Sequence, residues 1–307
     1  MARRSKGSFR FRRSSPLAIG PSYWEDRPLI SHFEECFQGF ADRVAVLDRD
    51  EAATYGQLGE RSERVALNLL DLGLRPLDRV VVQLPNTAVF VYLYFGLQKI
   101  GAIPIMALPS HRYREVSQFV RQARAVACAT PLAARDVSFT QLVNRLRGEC
   151  DTLRWGLVQH GPAPEGFVAI ADLLALPPSH TPSDLAKIDI NPCDPAVFQL
   201  SGGTTGVPKL IPRTHNDYAF NSKLAVSVCD VRDGDVLLDV LPISHNLPLA
   251  CPGLQGFLLR GASVVMGQST RPSELFALVQ RHRVSHIHVV PALLIRWIND
   301  RVRASTT

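Results

Sequence analysis

No stretch of this chain reaches the run of about 18 apolar residues that a membrane-crossing helix needs. The most apolar run, Val89 to Leu97, is closed by Lys99 and Gly101 and reads as a core helix. Cysteine is sparse: six in 307 residues, with no Cys-x-x-Cys and no histidine partners at zinc spacing. A metal site and a disulfide framework are therefore not expected, and free thiols in a reducing cytoplasm fit best. An internal repeat of solenoid or propeller length is missing. So are the two familiar nucleotide-binding glycine patterns, Gly-x-Gly-x-x-Gly and Gly-x4-Gly-Lys-Ser/Thr.

Acidic residues are missing from the first 20 positions, which carry Arg3, Arg4, Lys6, Arg10, Arg12 and Arg13. Setting those six aside leaves 28 basic against 28 acidic residues, so the rest of the chain is neutral. The basic excess describes a tail, not a nucleic-acid-binding face, and neither nucleic acid nor membrane is expected as a partner. Residues 1–21 are expected to be a disordered leader; Leu17-Ala18-Ile19 is too short for the apolar region of a secretory signal.

What is present is a regular alternation of apolar runs and helical periodicity. Val80–Leu84, a helix over 88–100 and the apolar run 101–109 predict a βαβ unit and a parallel sheet. Upstream, a helix is expected up to Phe40, capped by Ser31 with Glu34 at the capping-box position. A strand over Val44–Asp48 and a helix over 58–72, closed by Gly73, come next. Downstream lie helices near 113–125, 138–147, 218–229, 272–282 (Ser273 as cap) and 292–301. Strands are expected over 153–158, 235–241, 261–266 and 286–291. Five prolines between Pro162 and Pro182 mark a loop with one helical turn near Asp172–Ala175. The turn cluster Ile190–Pro195 separates a first α/β subdomain, 22–190, from a second, 191–307. His286 and His288 alternate on one strand face and, lacking a third ligand, read as structural.

The stretch that organises the rest is Ala196–Leu200 followed by Ser201-Gly202-Gly203-Thr204-Thr205-Gly206-Val207-Pro208-Lys209. An apolar run can be a buried strand. Glycines after it let backbone N–H groups turn inward around an anion, and hydroxyls and a lysine add donors. Such a loop suits a polyphosphate, although glycine, serine and threonine alone also fit an ordinary surface loop. A second stretch, Pro242-Ile243-Ser244-His245-Asn246-Leu247-Pro248-Leu249-Ala250-Cys251-Pro252-Gly253, follows an expected strand. Histidine and asparagine are common turn residues there. The carboxyl end of a parallel strand is also where open α/β sheets place ligands.

The loop resembles the phosphate-binding signature of the adenylate-forming superfamily, which includes acyl- and aryl-CoA ligases and peptide-synthetase adenylation domains. Its continuation, Leu210-Ile211-Pro212-Arg213-Thr214-His215-Asn216-Asp217-Tyr218, is similar to that of the aryl acid–AMP ligases of siderophore biosynthesis. Ala53–Leu58 and Pro109–Arg112 resemble two further motifs. The resemblance implies an α/β fold of parallel-sheet subdomains, cut before the family's β-barrel and C-terminal lid domain. It implies ATP, with Mg²⁺ carried on its phosphates, as cofactor. Ser201, Gly202, Gly203, Thr204, Thr205, Gly206 and Lys209 become the phosphate cradle. Lys209 and His245 become the candidate catalytic residues, and His245, Asn246, Leu247 and Cys251 the acid pocket.

In that family the residue matching Asn246 bonds the ortho hydroxyl of the aryl acid. The position of Cys251 is a serine in 2,3-dihydroxybenzoate enzymes, where it meets the 3-hydroxyl. A thiol is a weak partner, so salicylate is expected to be favoured. Leu247 departs from the family's usual aromatic residue. The implied acceptor is the phosphopantetheine thiol of an aryl carrier protein. The family's adenine-binding, Mg²⁺-binding and ribose-binding motifs, hinge and C-terminal lysine would lie beyond residue 307. The chain alone is therefore expected not to complete adenylation, and a second polypeptide could supply the rest. A binding module without turnover, or part of an acyl-CoA ligase, are the other readings.

Overall fold

A computed structural model describes residues 23–305 except 50, 135, 136, 160, 203–205 and 207, so the leader expected over 1–21 lies outside it. The chain opens with α1 (Leu29–Gly39), β1 (Val44–Asp48), β2 (Glu51–Thr54) and α2 (Tyr55–Asp71). Then come β3 (Arg79–Val82), α3 (Ala88–Lys99), β4 (Ile103–Met106), α4 (Tyr113–Ala123) and β5 (Ala127–Thr130). A small ribbon of β6 (Ala133–Ala134) and β7 (Val137–Ser138) precedes α5 (Phe139–Glu149), β8 (Trp155–Val158) and β9 (Phe167–Ala169). Short helices α6 (Ile170–Ala175) and α7 (Pro182–Ala186) lead to β10 (Pro195–Leu200), β11 (Leu210–Thr214) and α8 (His215–Val228). The last part holds β12 (Val236–Asp239), α9 (Asn246–Ala250), α10 (Gly253–Leu259) and β13 (Ser263–Met266). It ends with α11 (Pro272–His282), β14 (His286–Ile287) and α12 (Pro291–Ser305).

Two sheets carry the fold. One runs β11-β10-β4-β3-β5-β8-β9 and is parallel except at its edge strand β11. The other runs β14-β12-β13-β1-β2 and is parallel except at β2. Both sheets take strands from either side of the Ile190–Pro195 cluster. Among the described residues no helix is long and apolar enough to cross a membrane.

The two-residue period of a strand sorts side chains between layers. Val80 and Val82 of β3 face a core shared with α1, α2, α3 and α10, while Val81 faces α4 and α5. In the other sheet Leu237 and Val264 face that shared core, and Leu238 and Val265 face α11 and α12. The result is helix, sheet, helix, sheet, helix in layers, with α3 buried along its whole length. A helix apolar all round can sit only there.

Helix starts differ from the sequence expectation in instructive ways. Ser31 does not cap α1, which begins after Pro28 without a side-chain cap, and Glu34 instead pairs with Lys99. Ser273 does not cap α11, because Arg271 and Pro272 already occupy the entry. α2 begins earlier than its apolar periodicity, because Thr54 and Gln57 form a capping box. Gly73 ends the same helix at φ +84°, its N–H reaching Leu70 O at 2.8 Å. The strand over 286–291 is shorter than expected, stopping at Ile287. β11 is unexpected as a strand, since Pro212 lies in it; it is tolerated because β11 is an edge.

Candidate functional site

β10 and β11 form an antiparallel hairpin whose connection is the glycine-rich loop. β10 reads apolar because both its faces are buried, Val197 in one core and Phe198 in another. Ser201 N–H donates to Lys209 O at 3.0 Å, and Lys209 N–H donates to Ser201 Oγ at 2.9 Å. These two bonds close the base of the loop and leave the Ser201 hydroxyl hydrogen available to donate. Gly202 and Gly206 are exposed, and a Cβ on either would meet nothing within 4 Å among the described residues. Lys209 is exposed beside them. Gly203, Thr204 and Thr205 lie outside the described residues.

The second segment leaves the carboxyl end of β12. His245 caps α9, its Nδ1 accepting from Leu247 N–H at 3.3 Å, and its ring is exposed. Asn246 and Leu247 are half-buried. Asn246 Oδ1 accepts from the Tyr218 hydroxyl at 3.1 Å, and Tyr218 Oη accepts from Gln199 Nε2 at 2.9 Å. Gln199 sits on β10, next to the loop, and Tyr218 on α8 is fully buried. One chain of hydrogen bonds thus ties the strand that carries the loop to Asn246. Burial pushes the Tyr218 phenol well above its usual range, so it keeps its hydrogen.

Cys251 donates its thiol hydrogen to Asn221 Oδ1 at 3.8 Å. Asn221 lies one turn beyond Tyr218 on α8, so the two share a helix face. Its Nδ2 is buried and has no partner among the described residues. Sequence reasoning assigned no role to Gln199, Tyr218 or Asn221. Their positions become meaningful only when β10 and α8 meet the pocket segment.

Asp239, the last residue of β12, is wholly buried, and neither carboxylate oxygen has a partner among the described residues. Burial pushes its carboxyl well above the ordinary 3.8. A raised folded-state value means stability that is full below 3.8 and lost as pH rises toward that value. The slope is at most about 1.4 kcal/mol per pH unit. Asp239→Asn is expected to remove this slope, melting higher than the parent at pH 8 and converging with it in acid; thermal melts across pH check it. His286 and His288 both pack edge-on against Phe257, with ring centroids 5.2 and 6.4 Å away. Among the described residues no group of three or more His, Cys, Asp or Glu could hold a metal ion.

Residues 33–306 match the family described as AMP-binding enzyme. The chain belongs to that family. It is 39% identical over 284 residues to "Salicyl-AMP ligase / salicyl-S-ArCP synthetase" of Mycobacterium tuberculosis, covering 90% of itself and 48% of that protein. It is 37% identical over 260 residues to 2,3-dihydroxybenzoate-AMP ligase of Bacillus subtilis, covering 85% of itself and 47% of the relative. Among solved structures, the apo structure of Mycobacterium smegmatis MbtA superposes with a TM-score of 0.84 at 39% identity, over 91% of this chain and 51% of that one. The chain thus spans about half the length of the curated relatives it matches.

Proposed function

We propose that this chain holds ATP and an aryl acid for the activation step of an aryl acid–AMP ligase serving siderophore biosynthesis. The observation that carries the reading is the Gln199–Tyr218–Asn246 chain, which joins the glycine-rich loop's strand to the pocket segment. Ser201, Gly202 and Gly206 would hold the triphosphate through main-chain N–H groups and the Ser201 hydroxyl, with Gly203, Thr204 and Thr205 completing the cradle. Their openness supports the fit, since a phosphate could approach both described glycines without meeting a side chain of the described residues. Lys209 would set its charge against the β- and γ-phosphates. Mg²⁺ would arrive on those phosphates, and it supplies neutralisation of the charge that gathers there.

In this reading the acid's carboxylate oxygen attacks the α-phosphorus, the bond to the β-phosphate breaks, and pyrophosphate leaves. His245 lines the path between the two substrates, and Asn246 bonds the ortho oxygen of the acid. Leu247 packs beside the ring. The acyl group then passes to a carrier-protein phosphopantetheine thiol. Salicylate is the preferred acid: the single thiol hydrogen of Cys251 is engaged by Asn221, so Cys251 has no free donor for a 3-hydroxyl and offers only a weak sulfur acceptor. One unmet hydrogen bond is worth about 1 kcal/mol.

Calorimetric titration of the chain with ATP, salicylate and 2,3-dihydroxybenzoate tests both levels. Salicylate is expected to bind about fivefold more tightly than the dihydroxy acid. Cys251→Ser is expected to narrow that ratio by restoring a hydroxyl. Equal affinity for the two acids would remove the salicylate assignment, and absence of binding by either acid would remove the aryl acid reading.

A further inference from the structure

We propose that Tyr218 fixes the polarity of the acid pocket, so that its asparagine presents a donor and selects aryl acids whose ortho substituent accepts a hydrogen bond. The inference rests on the aryl acid reading above. A phenol has one hydrogen to give. Gln199 Nε2 donates to Tyr218 Oη at 2.9 Å, and Tyr218 directs its own hydrogen to Asn246 Oδ1 at 3.1 Å. The carbonyl end of Asn246 is then spent, and the amide nitrogen with its two hydrogens is the end left for a ligand. The pattern repeats one helical turn along α8. Asn221 Oδ1 is taken by the Cys251 thiol, and Asn221 Nδ2 is a buried donor without a partner among the described residues. Two asparagines, which could each present either end, are both turned the same way.

Tyr218 holds this orientation firmly. It is 0% exposed, its phenol stays protonated, and the Arg213 guanidinium covers its ring at 5.2 Å. A reversed Asn246 would aim an N–H at the Tyr218 oxygen, which already accepts from Gln199, and would leave the phenol hydrogen unmet in the core.

The consequence is chemical. Salicylate directs its phenolic hydrogen to its own carboxylate, so its ortho oxygen is free to accept from Asn246. Anthranilate carries an ortho amine whose lone pair is delocalised into the ring. One of its hydrogens reaches its carboxylate, and the other faces the donor ends of Asn246 and Asn221. Leaving one buried donor unmet corresponds to a preference of about tenfold for the ortho hydroxyl.

The experiment is calorimetric titration of the 307-residue chain with salicylate, anthranilate and benzoate, alongside two variants. Tyr218→Phe keeps the ring under Arg213 and removes the hydrogen, so Asn246 can turn over. The salicylate-to-anthranilate ratio is expected to fall to within about twofold of unity, with benzoate little changed. Asn246→Asp leaves Tyr218 in place and makes the ligand-facing end an acceptor, so the preference is expected to shift toward anthranilate. Equal weakening of all three acids by Tyr218→Phe would make Tyr218 a packing residue and overturn the proposal. So would an unchanged ratio in Asn246→Asp. Absence of binding by all three acids to the parent chain would instead overturn the aryl acid reading, and this inference with it.

Discussion

Gly253→Ala is expected to destabilise the protein by about 3 kcal/mol or more and to abolish aryl acid binding. Gly253 opens α10 directly after the pocket segment, at φ +28°. A Cβ there would lie 2.0 Å from Pro248 O, 2.2 Å from Pro248 C and 2.6 Å from Leu247 O. All three are backbone atoms, so no side chain can rotate to make room. The obstacle is α9 itself, held by Leu249 N–H to His245 O at 3.1 Å and Cys251 N–H to Leu247 O at 3.2 Å. Relief requires α9 to move, and Asn246 is its first residue. Denaturant midpoints check the stability loss, and salicylate titration checks the pocket. Gly202→Ala and Gly206→Ala supply the contrast: their Cβ atoms enter open space, and each is expected to change stability by less than about 1 kcal/mol. Their effect should fall on ATP binding alone.

That contrast separates what was legible in the sequence from what was not. The βαβ unit was legible because β3, α3 and β4 are each specified locally, by β-branched runs and an apolar helix bounded by Thr87 and Lys99. The capping box at Thr54 and Gln57 is equally local, but apolar spacing alone starts the helix only at Leu58. β11 was hidden for a different reason. Its strand state depends on an antiparallel partner, β10, and its proline is permitted only by an edge position that no local pattern reveals. That His245 and Asn246 follow the carboxyl end of a strand could be read from the sequence. The orientation of Asn246 could not, because it is set by Gln199 and Tyr218, 47 and 28 positions away in sequence. Asp239 gave no signal at all: in a strand sequence an aspartate usually marks an exposed end, whereas this one is capped over by Asn86 and Gly267 bonding its carbonyl.

Lowering the pH from 7 to 4 is expected to remove about 3 kcal/mol of stability through His215 alone. α1 enters after a proline and has no side-chain cap of its own. The N–H of Leu29, one of the unsatisfied donors at its start, is met from α8 by His215 Nδ1 at 3.2 Å. That bond needs an unprotonated nitrogen, and the ring is only 2% exposed. Burial holds its pKa down at about 4, against an ordinary 6.5. A histidine with a lowered folded-state value stabilises fully above 6.5 and loses that contribution as pH falls toward 4. Burial also lowers His32 and His111, so their contributions run in the same direction. Asp239 runs in the opposite one, gaining stability as the pH drops. His215→Asn should separate them, since its Oδ1 can still accept from Leu29 while the side chain no longer titrates. Its denaturation curves between pH 7 and 4 are expected to lose most of the acid slope, at a cost at neutral pH of about 1–2 kcal/mol from the smaller side chain. An acid slope as steep as the parent's would show that the limb comes from other groups and that His215 does not anchor α1.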